Sequence, residues 1–209
     1  LFYRAWAVNQ QAVSYEQTGI DRIAAYVASL IGNGQESAAC RDTVPDSAKL
    51  HYSGRLAGAQ RNAEGLESVL QDFFQIPTRV ETFVGEWIEL PQDSRCRLGE
   101  SPMTGTLGST AIVGSRIWEC QYKFRIRIGP MDYREYERML PGGASLRRLI
   151  AWVRNYLADE LAWDVQLVLR ANDVPGCQLG TNGRLGWSTW MKSRPAEHDA
   201  EDLVLQVCA

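Results

Sequence analysis

Lysine is nearly absent from this chain. Only Lys49, Lys123 and Lys192 carry it, and the other nineteen of the twenty-two basic residues are arginines. Histidine is scarcer still, confined to His51 and His198, and no H-E-x-x-H, G-x-S-x-G or glycine-rich phosphate loop occurs. These gaps remove the usual starting points for zinc hydrolysis, serine hydrolysis and nucleotide binding. No apolar run approaches the roughly 18 residues that a spanning helix needs, so no direct membrane insertion is expected. The opening LFYRAWAV is too short and too polar for a secretory signal, and without an initiator methionine the chain reads as a fragment or a cut chain. The cysteines Cys40, Cys96, Cys120, Cys177 and Cys208 are odd in number and show no C-x-x-C spacing. They read as reduced thiols in a cytoplasmic protein, with no metal or other cofactor expected.

What remains is ordinary in bulk and unusual in detail. The 209 residues, 45% of them hydrophobic and 22% charged, suffice for one large domain or two small ones. A net charge of −3 argues against a dedicated nucleic-acid binder. Seven tryptophans accompany the arginines. Arginine and tryptophan are enriched at protein interfaces because a planar, weakly hydrated fork and a rigid ring lose little on ordering. Codon usage in a GC-rich genome gives the same bias, so composition leaves both explanations open.

The first third has helical periodicity. Ile20, Ile23, Ala24, Val27, Leu30 and Ile31 follow the 3.6 period, with Thr18 as N-cap and Gly32 as stop. A second helix is expected from about Asp46 to Ala59, and a third over Ala63 to Phe74 with a stripe of Leu66, Val69, Leu70 and Phe73. TRVETFVGEWIEL (78–90) then reads as a strand with a bend at Gly85. In YKFRIRIGP, Phe124, Ile126 and Ile128 alternate with Lys123, Arg125 and Arg127, the clearest strand in the chain. DYREYERML and SLRRLIAWVRNYL are helical, and WDVQLVLRA and DLVLQV are strands.

This order occurs twice. A helix stripe, a strand, Pro91, Arg97-Leu98-Gly99 and a strand are followed by a helix stripe, a strand, Pro175, Arg184-Leu185-Gly186 and a strand. A competing register pairs Trp118-Glu119-Cys120-Gln121 with Trp163-Asp164-Val165-Gln166. The expected fold class is α+β, with a helical lead-in (1–60) and two similar helix–strand–loop–strand lobes (61–131 and 132–209). The stretches 91–115 and 172–200 are long for loops inside a compact domain, and loops of that length tend to carry function.

Chemistry-bearing residues are few. His198 lies in the polar run PAEHDAED and reads as solvated, whereas His51, beside Tyr52, reads as packed or capping. Glu119 and Asp164 each follow a tryptophan at an expected strand start. A carboxylate pair of that kind serves glycoside hydrolysis, but a strand-end carboxylate more often bonds arginine or backbone. Arg61 and Glu64 have the spacing of an i,i+3 ion pair, and Lys123, Arg125 and Arg127 make a face that meets acidic neighbours or solvent. In GRLGWSTW, Trp187 and Trp190 are an odd number of residues apart. In an extended chain they point to opposite sides, which would put Trp187 in a core and Trp190 against a partner or its own loop.

Taken together, SGRLAGAQRNAEGLESVLQDFFQIPTRVETFVGEWIELP, VGSRIWECQYKFRIRIGP, LPGG and NGRLGWSTW resemble the TssG family of the bacterial type VI secretion system, in order from LFYRAW to Trp190. The family's segment ahead of LFYRAW has no counterpart here, and MKSRPAEHDAEDLVLQVCA carries no family motif. The resemblance implies a structural, non-enzymatic subunit similar to wedge proteins of contractile phage tails. It implies joining a TssF dimer, with TssE nearby, and holding TssK adaptor trimers that contact the membrane complex. It implies a cytoplasmic baseplate docked at the inner membrane. The residues expected to meet partners, in the two long loops, are Arg95, Arg97, Leu98, Arg184, Leu185 and Trp190. The rival class is a carbohydrate-binding or glycoside-hydrolase-like module with exposed tryptophans as sugar platforms.

Overall fold

The computed structural model describes residues 22–38, 40–97, 99, 102–157, 160–177, 183–192 and 194–207. LFYRAW, Thr18, Ile20, Leu98 and Cys208 therefore lie outside the described residues. The architecture is α+β, as the periodicities predict: among the described residues there are seven helices and six strands, with four strands in one mixed sheet and two in a separate ribbon.

The lead-in holds α1 (Arg22–Leu30), which ends at Gly32 with φ +84°, followed by α2 (Asp46–His51) and α3 (Ser53–Ala57). The single helix expected over 46–59 is thus two short pieces, interrupted at Tyr52. Tyr52 leaves the helix to place its ring edge-on against Trp152, centroids 5.3 Å apart. Its hydroxyl donates to Asp72 over 2.6 Å. Burial and the Asp72 carboxylate push that phenol up to about 12. Helix α4 (Ala63–Phe74) has its expected bounds, because Asn62 caps it by accepting the Gly65 N–H at 2.9 Å. Arg61 does not pair with Glu64. It lies ahead of the helix, where its guanidinium donates to the carbonyls of Arg55 and Leu56 and sits over the Tyr156 ring.

The expected strand over 78–90 divides. Strand β1 (Thr78–Glu81) pairs in the main sheet, the chain turns at Phe83 with φ +61°, and β2 (Glu86–Glu89) pairs in the ribbon with β3 (Arg116–Glu119). A short α5 (Pro102–Gly105) lies between β2 and β3. Strand β4 (Lys123–Met131) then pairs antiparallel with β1. Helices α6 (Tyr133–Met139) and α7 (Ala144–Leu157) lead to β5 (Ala162–Leu169), parallel to β4, and β6 (Ala200–Gln206) returns antiparallel to β5. The sheet order is β1-β4-β5-β6.

Alternation sorts the two faces of this sheet. Phe124, Ile126 and Ile128 of β4, with Trp163, Val165 and Leu167 of β5, face the helices and join Leu66, Leu70, Leu149 and Trp152 in one continuous hydrophobic cluster. Each such side chain contributes about 1.5–3 kcal/mol through burial. The opposite face is charged and internally paired. Arg125 donates from Nε to Asp164 at 2.6 Å and from Nη2 at 3.0 Å, across the parallel seam where the two residues are register partners. Arg127 pairs with Glu201, and Lys123 Nζ lies 2.6 Å from Glu86 and 3.3 Å from Asp164. The basic stripe therefore meets acidic neighbours. Hydrogen bonding to Asp164 holds the Arg125 guanidinium above its ordinary value against the opposing effect of burial. Burial also works against the Lys123 ammonium, but Glu86 and Asp164 outweigh it and raise its pKa.

Asp164 is only 1% exposed, so removing its charge leaves Arg125 without its ion-pair partner at the seam. Asp164→Asn should lower the unfolding free energy by about 3 kcal/mol, as breaking one side of a buried ion pair does. Urea denaturation measures it, and a loss within error of zero would refute the role of this pair.

Candidate protein-docking interface

The two sheet excursions leave from opposite ends. The chain exits β1 and re-enters β4 at the end where Glu81 faces Arg125, whereas it exits β5 and re-enters β6 where Leu169 faces Ala200, next to Met131 at the far end of β4. Excursion 82–122 is built around the ribbon. The Val84 N–H donates to the Lys123 carbonyl at 3.0 Å and the Leu90 N–H to the Ser115 carbonyl at 2.9 Å, which fixes both ends of the two-stranded segment. Trp87 and Trp118 are cross-strand partners on one ribbon face, with ring centroids 5.3 Å apart and planes at 67°. They are 61% and 58% exposed, which is unusual for such large apolar side chains on the same face. The Trp118 indole also covers Gly85, where an added Cβ would lie 1.9 Å from the ring, so a larger residue there would push the ring aside. Leu107 and Val113, between β2 and β3, are more than nine-tenths exposed.

Excursion 170–199 works differently. Gly186, at φ +81°, closes a turn in which the Trp187 and Ser188 N–H groups both return to the Arg184 carbonyl, at 3.0 and 2.9 Å. The segment is not extended, so alternation does not apply: Trp187 is not the core residue expected, whereas Trp190 meets its own loop, one of the two alternatives expected for it. Trp187 is 38% exposed, with the Arg184 guanidinium 5.8 Å from its ring centroid, and is not a core residue. Trp190 packs against the hydrophobic cluster. Its ring is 5.7 Å from that of Tyr136, its Nε1 donates to Asp202 at 3.3 Å, and its backbone forms a bridge with Gly176. The buried Tyr136 hydroxyl, pushed well above the ordinary phenol range by burial, donates to the Trp187 carbonyl at 2.8 Å. Leu185 and Met191 stand almost fully exposed on either side.

The anticipated contact residues have different surroundings. Arg95 braces the ribbon, donating from Nε to the Leu90 carbonyl at 2.9 Å and lying 3.6 Å from Glu89. Arg97 is exposed on the loop, and Leu98 is outside the described residues. Arg184 donates to the Pro141 carbonyl at 3.0 Å while presenting Leu185 outward. Sequence reasoning missed Trp87 and Trp118. The available signal was a charged residue two positions from each tryptophan and so on the same strand face, Glu89 beside Trp87 and Arg116 beside Trp118.

The candidate chemical groups are not assembled. Glu119 ends β3, where it does not begin a strand, and accepts the N–H groups of Cys120 and Gln121, both at 2.9 Å. Asp164 is in the other sheet and paired to Arg125. His198 is exposed. His51 is exposed rather than packed, edge-on to Tyr52 and 3.9 Å from Asp72. Among the described residues no three His, Cys, Asp or Glu side chains come together as a metal site, and no helix is long and apolar enough to cross a membrane.

Fold and surface together define an α+β scaffold that displays apolar side chains from both ends of one sheet. The family model described as "Type VI secretion, TssG" matches residues 1–192, and the chain belongs to that family. A chain of the type VI secretion system TssK-TssF-TssG baseplate subcomplex, solved by cryo-electron microscopy, superposes with a TM-score of 0.76 at 21% identity, over 98% of this chain and 85% of that one. A chain of another type VI baseplate complex superposes with a TM-score of 0.66, also at 21% identity, over 98% of this chain and 59% of its own length. No curated protein matches.

The unequal burial of the two tryptophans gives a direct check. Trp190→Ala should cost about 2 kcal/mol and lower the melting temperature by roughly 4–8 °C, whereas Trp187→Ala should leave it within about 2 °C. Equal losses, or the opposite order, would contradict the packing.

Proposed function

We propose that this protein is a structural subunit of the type VI secretion baseplate, without catalytic activity, that joins a TssF dimer and holds TssK adaptor trimers through its two excursions. TssE belongs to the same neighbourhood in this reading, and the assembly works on the cytoplasmic side of the inner membrane. The observation that carries it is the placement of the excursions at opposite ends of a rigid sheet. Two partners held there would not collide, and each would meet large exposed apolar side chains of the kind that anchor interfaces. In support of partners of that name, the similar solved chains come from baseplate assemblies, one of which contains TssK and TssF.

On this reading Trp87 and Trp118 anchor one contact, and Leu185 with Trp187 anchors the other. Arg97 and Arg184 supply polar contacts at the rim and Leu98 an apolar one, while Arg95 and Trp190 hold the backbone that presents them. Residues 61–131 and 132–209 are proposed to be similar units, each with a long helix (α4 or α7) ahead of two antiparallel strands of the main sheet that flank one excursion. The carbohydrate-binding alternative is less well supported, since a sugar stacks on a flat open face and the two ribbon rings meet edge to face at 67°.

Trp87→Ala with Trp118→Ala should weaken TssK capture by about thirtyfold or more, the effect of losing at least 2 kcal/mol at an anchor, without changing the melting temperature. Deleting residues 95–110 should act in the same direction. Co-purification with TssK and TssF measures both. Undiminished capture by both variants would sink the assignment of the ribbon.

A further inference from the structure

The main sheet ends in two outer strands, β1 and β6, whose free edges differ. The Ala162 N–H donates to the Tyr122 carbonyl at 2.9 Å. In the parallel ladder Ala162, Asp164 and Gln166 therefore turn their backbone groups toward β4, and Trp163, Val165 and Leu167 turn theirs toward β6. Leu205 and Leu203, the register partners of Val165 and Leu167, are the residues of β6 that bond to β5. Val204 and Gln206 then point their N–H and C=O groups out of the sheet, about 7 Å apart along the strand. The β1 edge is capped, because its outward Val80 N–H donates to Glu67 of α4 at 3.4 Å. No such cap covers β6. Among the described residues no hydrogen bond engages the outward groups of Val204 and Gln206, and Val204 is 37% exposed.

The surroundings of this edge are acidic. From Pro195 to Ala209 the chain has no lysine or arginine, and it has Glu197, Asp199, Glu201 and Asp202. Among the described residues only Glu201 of these has a cationic partner, Arg127. Asp199 accepts the Ala171 N–H at 2.9 Å and Asp202 the Trp190 Nε1–H at 3.3 Å, both neutral donors that leave the charge uncompensated. The two faces beside the edge differ as well. Leu203, Leu205 and Val207 continue the hydrophobic cluster to the rim of the sheet, whereas Val204 and Gln206 lie on the charged face, across from Gln166 and Asp164.

We infer that the outer edge of β6 takes a strand of another protein, apolar on one face and basic on the other. Its backbone completes the bonds that Val204 and Gln206 leave open, the mode in which an extended segment adds to a sheet. Its apolar side chains extend the cluster beyond Leu203 and Leu205, and its lysines or arginines on the other face meet the carboxylates at the start of β6. A second copy of this chain matches less well, because it would bring another acidic segment to the same edge. The inference is independent of the excursions and of which proteins they meet.

The test is fluorescence anisotropy of a labelled peptide of alternating lysine and valine, about eight residues long and blocked at both ends, titrated with the full chain. Saturable binding is expected, with slowed exchange of the Val204 and Gln206 amide protons and no change at Leu203 and Leu205. Val204→Pro removes an outward N–H that the fold does not use, and should weaken the peptide about tenfold or more while the melting temperature holds. If that variant unfolds, peptides methylated on alternate backbone nitrogens replace it: one alternate set should abolish binding and the other spare it. Equal effects of the two sets, absence of saturable binding, or protection elsewhere than at β6 would overturn the site. A peptide with glutamate in place of lysine should bind about tenfold more weakly, and equal affinity would overturn the basic partner. A chain that sediments as a dimer and is made monomeric by Val204→Pro would assign the edge to a second copy and overturn the proposal.

Discussion

The carboxylate of Asp164 holds the two halves of this protein in register. The parallel pairing of β4 with β5 joins the halves within the sheet, and Asp164 sits on that seam, bonded by both Nε and Nη2 of Arg125. A buried ion pair adds little net stability over apolar residues of the same shape, because desolvation offsets most of the Coulomb gain. Its value is in specificity. A one-residue slip would turn Asp164 into the hydrophobic cluster and bring an apolar neighbour to the arginine, at a cost of several kcal/mol. Lys123 extends the same network to Glu86, so the base of the ribbon is tied to the seam.

From that constraint follows where apolar surface is left over. The helices cover one face of the sheet, and the other satisfies its charges internally. Large exposed apolar side chains then collect on the ribbon, at Trp87, Trp118, Leu107 and Val113, and around the distal turn, at Leu185, Trp187 and Met191. The arginine bias has a structural side as well. Arg61 donates to two carbonyls and sits over Tyr156, Arg95 braces Leu90, and Arg184 reaches Pro141 while covering Trp187. Each uses a planar multi-donor fork that lysine lacks. Part of the arginine excess that composition suggested for interfaces is thus spent inside the fold.

Local pattern was legible wherever it was also the tertiary pattern. The stripe of Leu66, Val69, Leu70 and Phe73 is a local signal, and α4 has the bounds expected from it. The alternation in β4 is equally local, and both of its faces have the expected character. The failures occurred where long-range pairing or backbone sign decided the outcome. A strand from 78 to 90 looked continuous because nothing local reveals that Phe83 adopts a positive φ and passes the chain to a second sheet. The exposed tryptophan pair required knowing that residues 87 and 118 are cross-strand partners. Alternation puts Trp187 in the core only in an extended chain, and Gly186 makes a turn that leaves Trp187 exposed while Trp190 meets its own loop at Gly176.

Hydrogen–deuterium exchange of the chain alone and within the assembled TssK–TssF complex tests the central claim most directly. The account predicts new protection in two separated segments, around 84–90 with 115–120 and around 184–191, with the already protected strands β4 and β5 unchanged. Protection confined to one segment, or falling on the charged face of the sheet instead, would contradict a scaffold that holds its partners from opposite ends.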